Sequence, residues 1–343
     1  MTHPSAPDSS SSSSCSSSSS KTIGDKYNFS WQQTMLRIKD PKISVPFYEK
    51  HFGMKLIHFY HFNDAKFSLY FLERPHENAV LPAAGTPESE KYLWNMKGVC
   101  LELTHNHGSE DDANFCINNG NEEPHRGFGH IAFNCDDVVK ASEDLEKEGV
   151  AFQKKPHEGK MKTIAFAKDP DGYWIELCNR SKNAEIKEKF NLSQTMIRVK
   201  DPQKSLAFYR DLLGMKLVMK KIHDSFTVYF LTHLEPGAQP PENIESDEAR
   251  EFVKQRWAPL LELTHNHGTE KDENFKYHNG NDQPQGFGHI GMLCDNLEKA
   301  CEDLEAAGVK FRKRPQDGKM RGLAFVLDPD GYSVELINRG VTF

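Results

Sequence analysis

The sequence predicts an α+β fold of four βαβββ units arranged as two pseudo-symmetric halves. Three observations carry this: ordered motifs recur once at a nearly constant offset, each half repeats one strand–helix–strand order twice, and the segments between turn residues alternate apolar with polar positions. QTMLRIKDP at Gln33 returns as QTMIRVKDP at Gln194, LELTHNHG at Leu101 returns at Leu261, and DGYWIEL at Asp171 returns as DGYSVEL at Asp330. LYFL at Leu69 returns as VYFL at Val228, GFGHI at Gly127 returns at Gly286, and the offset stays between 159 and 161 residues throughout. Such a register describes a tandem duplication, with the halves meeting near Lys182–Phe190.

Within the first half, residues 31–40 alternate as a strand does, and Ser44–Phe52 reads as a short helix stopped by Gly53. Met54–Tyr60, Phe67–Leu72 and Val99–Thr104 complete a first unit of strands. The order then recurs. His130–Cys135 is a strand, and Asp136 can cap a helix whose Val138, Ala141 and Leu145 share one face before Gly149. Val150–Gln153, Ile164–Ala167 and Tyr173–Leu177 follow as strands, the last two joined by the turn Asp169-Pro-Asp-Gly172. Strands curled into half-open sheets, paired unit with unit, leave a concave face suited to a ligand.

Composition narrows the partners. The net charge of −7 disfavours nucleic acid as a target, which asks for a basic face. No apolar run reaches the roughly 18–20 residues that span a bilayer. Seven cysteines, an odd number with no CxxC pair, fit buried thiols in a reducing compartment, so the expected location is the cytoplasm. Residues 1–26 read as a solvated tail, because Ser9–Ser20 is serine except for Cys15 and has nothing to bury.

The repeats also place ligand-type side chains. Units one and three carry Gln33 and Gln194 on the first strand, with Glu102 and Glu262 on the last. Units two and four carry His130 and His289 on the first strand, with Glu176 and Glu335 on the last. The intervals are 69, 46, 68 and 46 residues. Each glutamate lies inside an apolar strand such as Val-Cys-Leu-Glu-Leu, where a carboxylate is costly unless it meets a cation. Two carboxylates, one imidazole and one amide oxygen would hold a divalent ion and leave positions open for substrate; this mostly oxygen set suits Zn, Ni, Co or Mn. Taken singly, each residue has a plainer reading as a solvated or structural side chain, and duplication copies structural residues too. The spacing leaves open whether ligands pair within a half or between halves. His105-Asn-His107 and His265-Asn-His267 look like metal pairs, but alternate strand residues face opposite ways. No nucleophile elbow or Walker loop occurs.

QTMLRIKDP, KFSLYFL, LELTHN, GNEEPHRGFGHI, GKM and DPDGYWIEL together resemble glyoxalase I (lactoylglutathione lyase), in its fused, monomeric two-domain eukaryotic, yeast-like form, over about residues 27–343. The resemblance implies the vicinal-oxygen-chelate fold, with domains at 27–182 and 190–343. It implies crossed sites: Gln33, Glu102, His289 and Glu335 in one, and Gln194, Glu262, His130 and Glu176 in the other. It also implies isomerisation of the methylglyoxal–glutathione hemithioacetal to S-lactoylglutathione, with Glu176 and Glu335 as bases and no redox cofactor. The segment Pro87–Lys97 resembles an insertion of zinc-type members, which makes Zn²⁺, two per chain, the expected metal, with Ni²⁺ or Co²⁺ as alternatives. Glutathione would be met by Arg37, Asn106, Arg198 and Asn266 on the units bearing glutamine. On the second unit it would meet Arg126, Lys154, Lys160 and Met161, and on the fourth Lys313, Lys319 and Met320. Departures appear as well: unit four reads Pro-Gln285-Gly where unit two reads Pro-His-Arg126-Gly, Trp174 aligns with Ser333, and THNHG replaces a family tryptophan by His107 and His267. The site using His130 is therefore expected to bind glutathione more completely than the site using His289. Two rival readings are a ring-cleaving dioxygenase, disfavoured by glutamine where its first histidine would stand, and a drug-sequestering binding module.

Overall fold

The computed structural model describes residues 21–76, 79–159, 161–235, 237–318 and 320–343. After a short helix α1 (Ile23–Lys26), the first unit comprises β1 (Ser30–Ile38), α2 (Pro41–Phe52), β2 (Lys55–Phe62), β3 (Phe67–Glu73) and β4 (Cys100–Asn106), with α3 (Pro87–Leu93) inserted before β4. The second has β5 (Phe128–Cys135), α4 (Val138–Lys147), β6 (Phe152–Lys154), β7 (Ile164–Lys168) and β8 (Trp174–Asn179). The third has β9 (Asn191–Arg198), α5 (Pro202–Leu206), β10 (Lys216–Ile222), β11 (Phe226–Thr232), then α6 (Asp247–Gln255) and β12 (Leu260–Asn266). The fourth has β13 (Phe287–Cys294), α7 (Leu297–Ala306), β14 (Lys310–Lys313), β15 (Leu323–Leu327) and β16 (Ser333–Asn338).

The expected units are present, with shifted edges. Helix α2 starts at Pro41, three residues before the expected Ser44, because Asp40 accepts from the Lys42 amide and proline is pre-set for a first turn. The cap of α4 is corrected: Asp137, not Asp136, accepts from the Lys140 amide, while Asp136 pairs with Arg180 at 2.5 Å. The six described cysteines are all free. No helix of the described residues is long and apolar enough to cross a membrane.

Two eight-stranded sheets form, and each joins units from different halves. One runs β14-β15-β16-β13-β1-β4-β3-β2, the other β10-β11-β12-β9-β5-β8-β7-β6. The junctions are antiparallel, β1 on β13 and β5 on β9, and set Gln33 opposite Gly291 and Gln194 opposite Ala132. Along every strand the odd–even alternation separates two faces. Leu101, Leu103, Ile131, Phe133, Ile175 and Leu177 enter the main core, and their counterparts do the same in the other half. The intervening residues, Glu102 and Glu176 among them, face the opposite way.

Contacts between the halves tie the two sheets together. Phe128 and Phe287 stack with ring centroids 5.0 Å apart, and the hydroxyls of Thr34 and Thr195 meet at 2.7 Å. The strand entries approach so closely that only glycine fits: a Cβ on Gly127 would stand 2.0 Å from the His278 carbonyl oxygen, and one on Gly286 1.9 Å from that of Asn118. The Asp-Pro-Asp-Gly segments are more than turns. Asp169 accepts from the Tyr48 hydroxyl at 2.7 Å and Asp171 from Ser44 at 2.6 Å, which fastens the end of unit two to the helix of unit one. Asp328 and Asp330 repeat this with Tyr209 and the Lys200 amide. Burial pushes Asp169 and Asp328 up to about 7.

Gly286→Ala is expected to lower folding stability by about 2 kcal/mol or more, the scale of overpacking against backbone that cannot move aside. Thermal unfolding of the variant beside the parent chain checks this; an unchanged midpoint contradicts it.

Candidate metal centres

Eight buried side chains converge in two clusters, one on each sheet. In the first, Gln33 on β1, Glu102 on β4, His289 on β13 and Glu335 on β16 meet. Gln33 Nε2 lies 2.5 Å from Glu102 Oε2, 2.9 Å from Glu335 Oε2 and 3.1 Å from His289 Nε2. His289 Nε2 is 3.3 Å from Glu102 Oε2 and 3.1 Å from Glu335 Oε2. In the second, Gln194 Nε2 is 2.6 Å from Glu176 Oε2, 2.8 Å from Glu262 Oε2 and 3.5 Å from His130 Nε2. His130 Nε2 is 3.2 Å from Glu176 Oε2 and 3.7 Å from Glu262 Oε2. All four glutamates and both histidines are under 9% exposed.

The strand order produces this crossing. The β1–β13 and β9–β5 junctions put the glutamine of one half beside the histidine of the other, and each glutamate enters from the strand that flanks its own unit's junction strand. The same registers set a phenylalanine across from every glutamate: Phe71 opposite Glu102, Phe166 opposite Glu176, Phe230 opposite Glu262 and Phe325 opposite Glu335. Phe166 and Phe325 also lie edge-on to His130 and His289, at 5.4 and 5.3 Å. Such walls withhold water and strengthen electrostatics inside the cluster.

The donor set fits a divalent cation. In each cluster one carboxylate oxygen from each of two glutamates and an imidazole nitrogen lie within 4.8 Å of one another. Gln33 Oε1 is buried without a partner, and a half-turn of that amide would aim it at the same point. The imidazoles respond to the carboxylates. Burial pulls His130 down, but Glu176 and Glu262 outweigh it and push the ring up to about 9; Glu335 and Glu102 do the same to His289, again to about 9. Burial raises Glu335 above the ordinary carboxylate range.

The side chains expected to meet glutathione are distributed unevenly. Arg126, Asn266 and Tyr277 line a cavity of about 130 Å³ with Thr269, Phe275 and Lys276, at the end of β12, the strand that carries Glu262. Asn266 donates to the Tyr277 hydroxyl at 2.8 Å, and Arg126 pairs loosely with Glu123 at 3.2 Å. Arg198, expected beside them, is largely engaged: it donates to the Gly120, Gly127 and Phe128 carbonyls and to Asn121 at 2.9 Å. Arg37 grips Gly280, Gly286, Phe287 and Asn281 in the same way. Both arginines thus fasten one unit to the entry of the histidine strand of another, a task the sequence did not reveal. Asn106 ends β4 on the face of Glu102. Lys154 Nζ donates to the Met161 and Ile164 carbonyls, and Lys313 Nζ to those of Met320 and Leu323, so each lysine closes a loop; Met161 is exposed and Met320 half-buried. Lys160 and Lys319 lie outside the described residues. Tyr277 and the hydroxyls of Thr104 and Thr264 were missed by sequence reasoning. His105 and His265 pair instead with Glu110 and Glu270, while His107 and His267 turn to Ser68 and Thr227, so neither motif forms a metal pair.

Residues 31–177 and 191–336 each match the model of the Glyoxalase/Bleomycin resistance protein/Dioxygenase superfamily. The chain is 46% identical to "Glyoxalase I" of Saccharomyces cerevisiae, over 90% of this chain and 92% of that protein. The chain belongs to the glyoxalase I family. "Lactoylglutathione lyase" of Schizosaccharomyces pombe is 44% identical over 92% of this chain and 98% of its own length, so the two-domain form of the family is shared end to end. The crystal structure of glyoxalase I from Zea mays superposes with a TM-score of 0.64 at 27% identity, over 91% of this chain and 92% of that one. As a glyoxalase I the chain is a lyase, and the duplication read from its motifs is a repeat of the family domain.

The raised imidazoles give a signed pH dependence. Their folded values, about 9, lie above the ordinary 6.5, so in metal-free protein they contribute stability fully below pH 6.5 and lose it as pH rises through about 9. Metal-free chain should therefore unfold at lower temperature at pH 9 than at pH 6.5, checked by melting after chelation. Metal binding must displace those protons, so apparent affinity should climb over the same range.

Proposed function

We propose that both clusters isomerise the hemithioacetal of methylglyoxal and glutathione to S-lactoylglutathione, each with one bound divalent cation. The observation that carries this is the convergence, twice in one glyoxalase I chain, of two buried carboxylates, an imidazole and an amide. Gln33, Glu102, His289 and Glu335 would hold one cation, and Gln194, Glu262, His130 and Glu176 the other. Zn²⁺ is the first choice, with Ni²⁺ or Co²⁺ compatible with the same donors. When bound, the cation supplies a Lewis acid for the negative charge that develops on the substrate's two oxygens. Glu176 and Glu335 take the proton from the thiohemiacetal carbon and return it to the neighbouring carbon, so no atom is gained or lost. A carboxylate that leaves a cation inside a phenylalanine-walled pocket becomes more basic, which suits it to this step. The glutathione part lies toward Arg126, Asn266 and Arg198 at one site, and toward Asn106 and Arg37 at the other, with Lys154 and Lys313 at the ends of β6 and β14 and Met161 and Met320 on the loops that follow. The chain acts as a cytoplasmic monomer, with domains at 27–182 and 190–343.

The two sites differ in their means of holding an anion. Arg126, Lys276 and Tyr277 line the cavity at the end of β12; the aligned positions for the other site are the shortened Pro-Gln285-Gly segment, Cys116 and Ile117. The first site therefore binds the glutathione adduct more weakly.

Two measurements test this. Glu176→Gln and Glu335→Gln should each leave one working site, and the double change should lower turnover by about 10²–10⁴-fold, the usual contribution of a positioned base. The Glu176→Gln chain should show the higher KM; equal KM values would end the asymmetry. Chelation should abolish activity, and Zn²⁺ or Co²⁺ should restore it with two equivalents bound; activity that survives chelation would contradict the proposal.

A further inference from the structure

Each carboxylate has two oxygens, and in all four glutamates Oε2 turns to the centre of its cluster. The outer oxygens are treated differently. Glu102 Oε1 accepts a hydrogen bond from Thr104 Oγ1 at 3.1 Å, and Glu262 Oε1 accepts one from Thr264 Oγ1 at 3.0 Å. Both threonines are 7% exposed, so water offers little competition for the bond. The two-residue spacing on β4 and β12 puts glutamate and threonine on one sheet face, which is why the contact forms within a strand.

At the same spacing after Glu176 and Glu335 stand Cys178 and Ile337. The Cys178 sulfur lies 3.8 Å from the Phe133 carbonyl and 3.8 Å from the Ser193 hydroxyl, and Ile337 has no donor. Two residues earlier are Trp174 and Ser333, and the Ser333 hydroxyl meets Asn281 and Arg312 instead. Among the described residues no hydrogen bond reaches the outer oxygen of Glu176 or Glu335. Each cluster therefore contains one carboxylate pinned at its far end and one that is not. The division is the same in both clusters, although their distances and surroundings differ.

We propose that Thr104 and Thr264 are positioning residues that decide which carboxylate of each cluster stays a ligand and which is free to move the proton. A hydroxyl donated to a carboxylate favours its charged form and restricts its rotation. The pinned glutamate is thus the less mobile of the two, and Glu176 or Glu335 is left as the one that can swing away from the cation. This rests on the reading of Glu176 and Glu335 as bases.

The test isolates the second cluster by silencing the first with His289→Ala, then compares Thr264→Val with Thr264→Ser. Co²⁺ affinity is measured by competition with a chelator, and kcat and KM separately. Thr264→Val should weaken Co²⁺ by about tenfold, the lower end of what outer partners of metal ligands contribute. It should lower kcat with little change in KM, and Thr264→Ser should regain most of both. Co²⁺ affinity within twofold of the parent in Thr264→Val, or a serine variant as impaired as the valine one, would overturn the proposal. If His289→Ala does not fold, Co²⁺ titration of the two-site chain serves: one of two binding classes should weaken, and two unaltered classes would refute the idea. A second comparison addresses the choice of base. In the chain whose first cluster is silenced by His289→Ala, at matched Co²⁺ occupancy, Glu176→Gln with Thr264→Val should turn over several-fold faster than Glu176→Gln without it, because the released Glu262 can take the proton; a slower double variant counts against it. Full turnover by Glu176→Gln alone would instead remove the base reading, and the Co²⁺ comparison would still judge the pinning.

Discussion

The antiparallel pairing of β1 with β13, and of β9 with β5, is the constraint on which the rest depends. Backbone hydrogen bonds between strands from different halves put glutamine and histidine side by side, and a one-residue slip would turn both to the core face. Everything that holds the register protects the chemistry. The close approach at Gly127 and Gly286, the stacked Phe128 and Phe287, and the arginines that grip the entries of β5 and β13 all act at the ends of these junctions.

Electrostatics inside each cluster follows from that geometry. Two carboxylates brought together out of water are costly, and in the protein alone the cost is offset by an imidazole held protonated and an amide that donates to both. A cation would take over that work, freeing the imidazole as a ligand and letting the amide turn its oxygen inward. Folding, proton binding and metal binding are therefore three uses of one set of atoms.

Much of this was legible in the sequence because duplication made it so. A glutamate within Cys-Leu-Glu-Leu is ambiguous once, but its return in Leu-Leu-Glu-Leu with matching glutamine and histidine positions marks a site. The four units followed from alternation and turn residues, with edges off by one to three residues and Asp137 displacing Asp136 as a cap, while helices α3 and α6 were not anticipated and α1 lies where a solvated tail was expected. Partnership was harder. Nothing in the spacing tells β1 to pair with β13 instead of β5, since either would bury the same face, and only the family resemblance implied the crossing. Arg37 and Arg198 were assigned to glutathione by the family resemblance; the backbone carbonyls they hold at the entries of β13 and β5 depend on tertiary contacts that no local pattern encodes. Thr104 and Thr264 were visible in LELT in both halves, and same-face spacing could have singled them out.

The crossed architecture also orders the birth of the two sites. Along the chain one is nested within the other: the second draws on residues 130–262, whereas Gln33 and Glu335 of the first are 302 positions apart. A ribosome delivers the inner set once β12 has emerged, so that sheet can close while the β1–β4 unit still waits with an open edge. The outer site cannot exist until β16 is made, and its long loop carries the larger closure entropy. A chain cut short within the last unit would retain every residue of the inner site and lose the outer one, so the two copies are unequal in their exposure to premature termination.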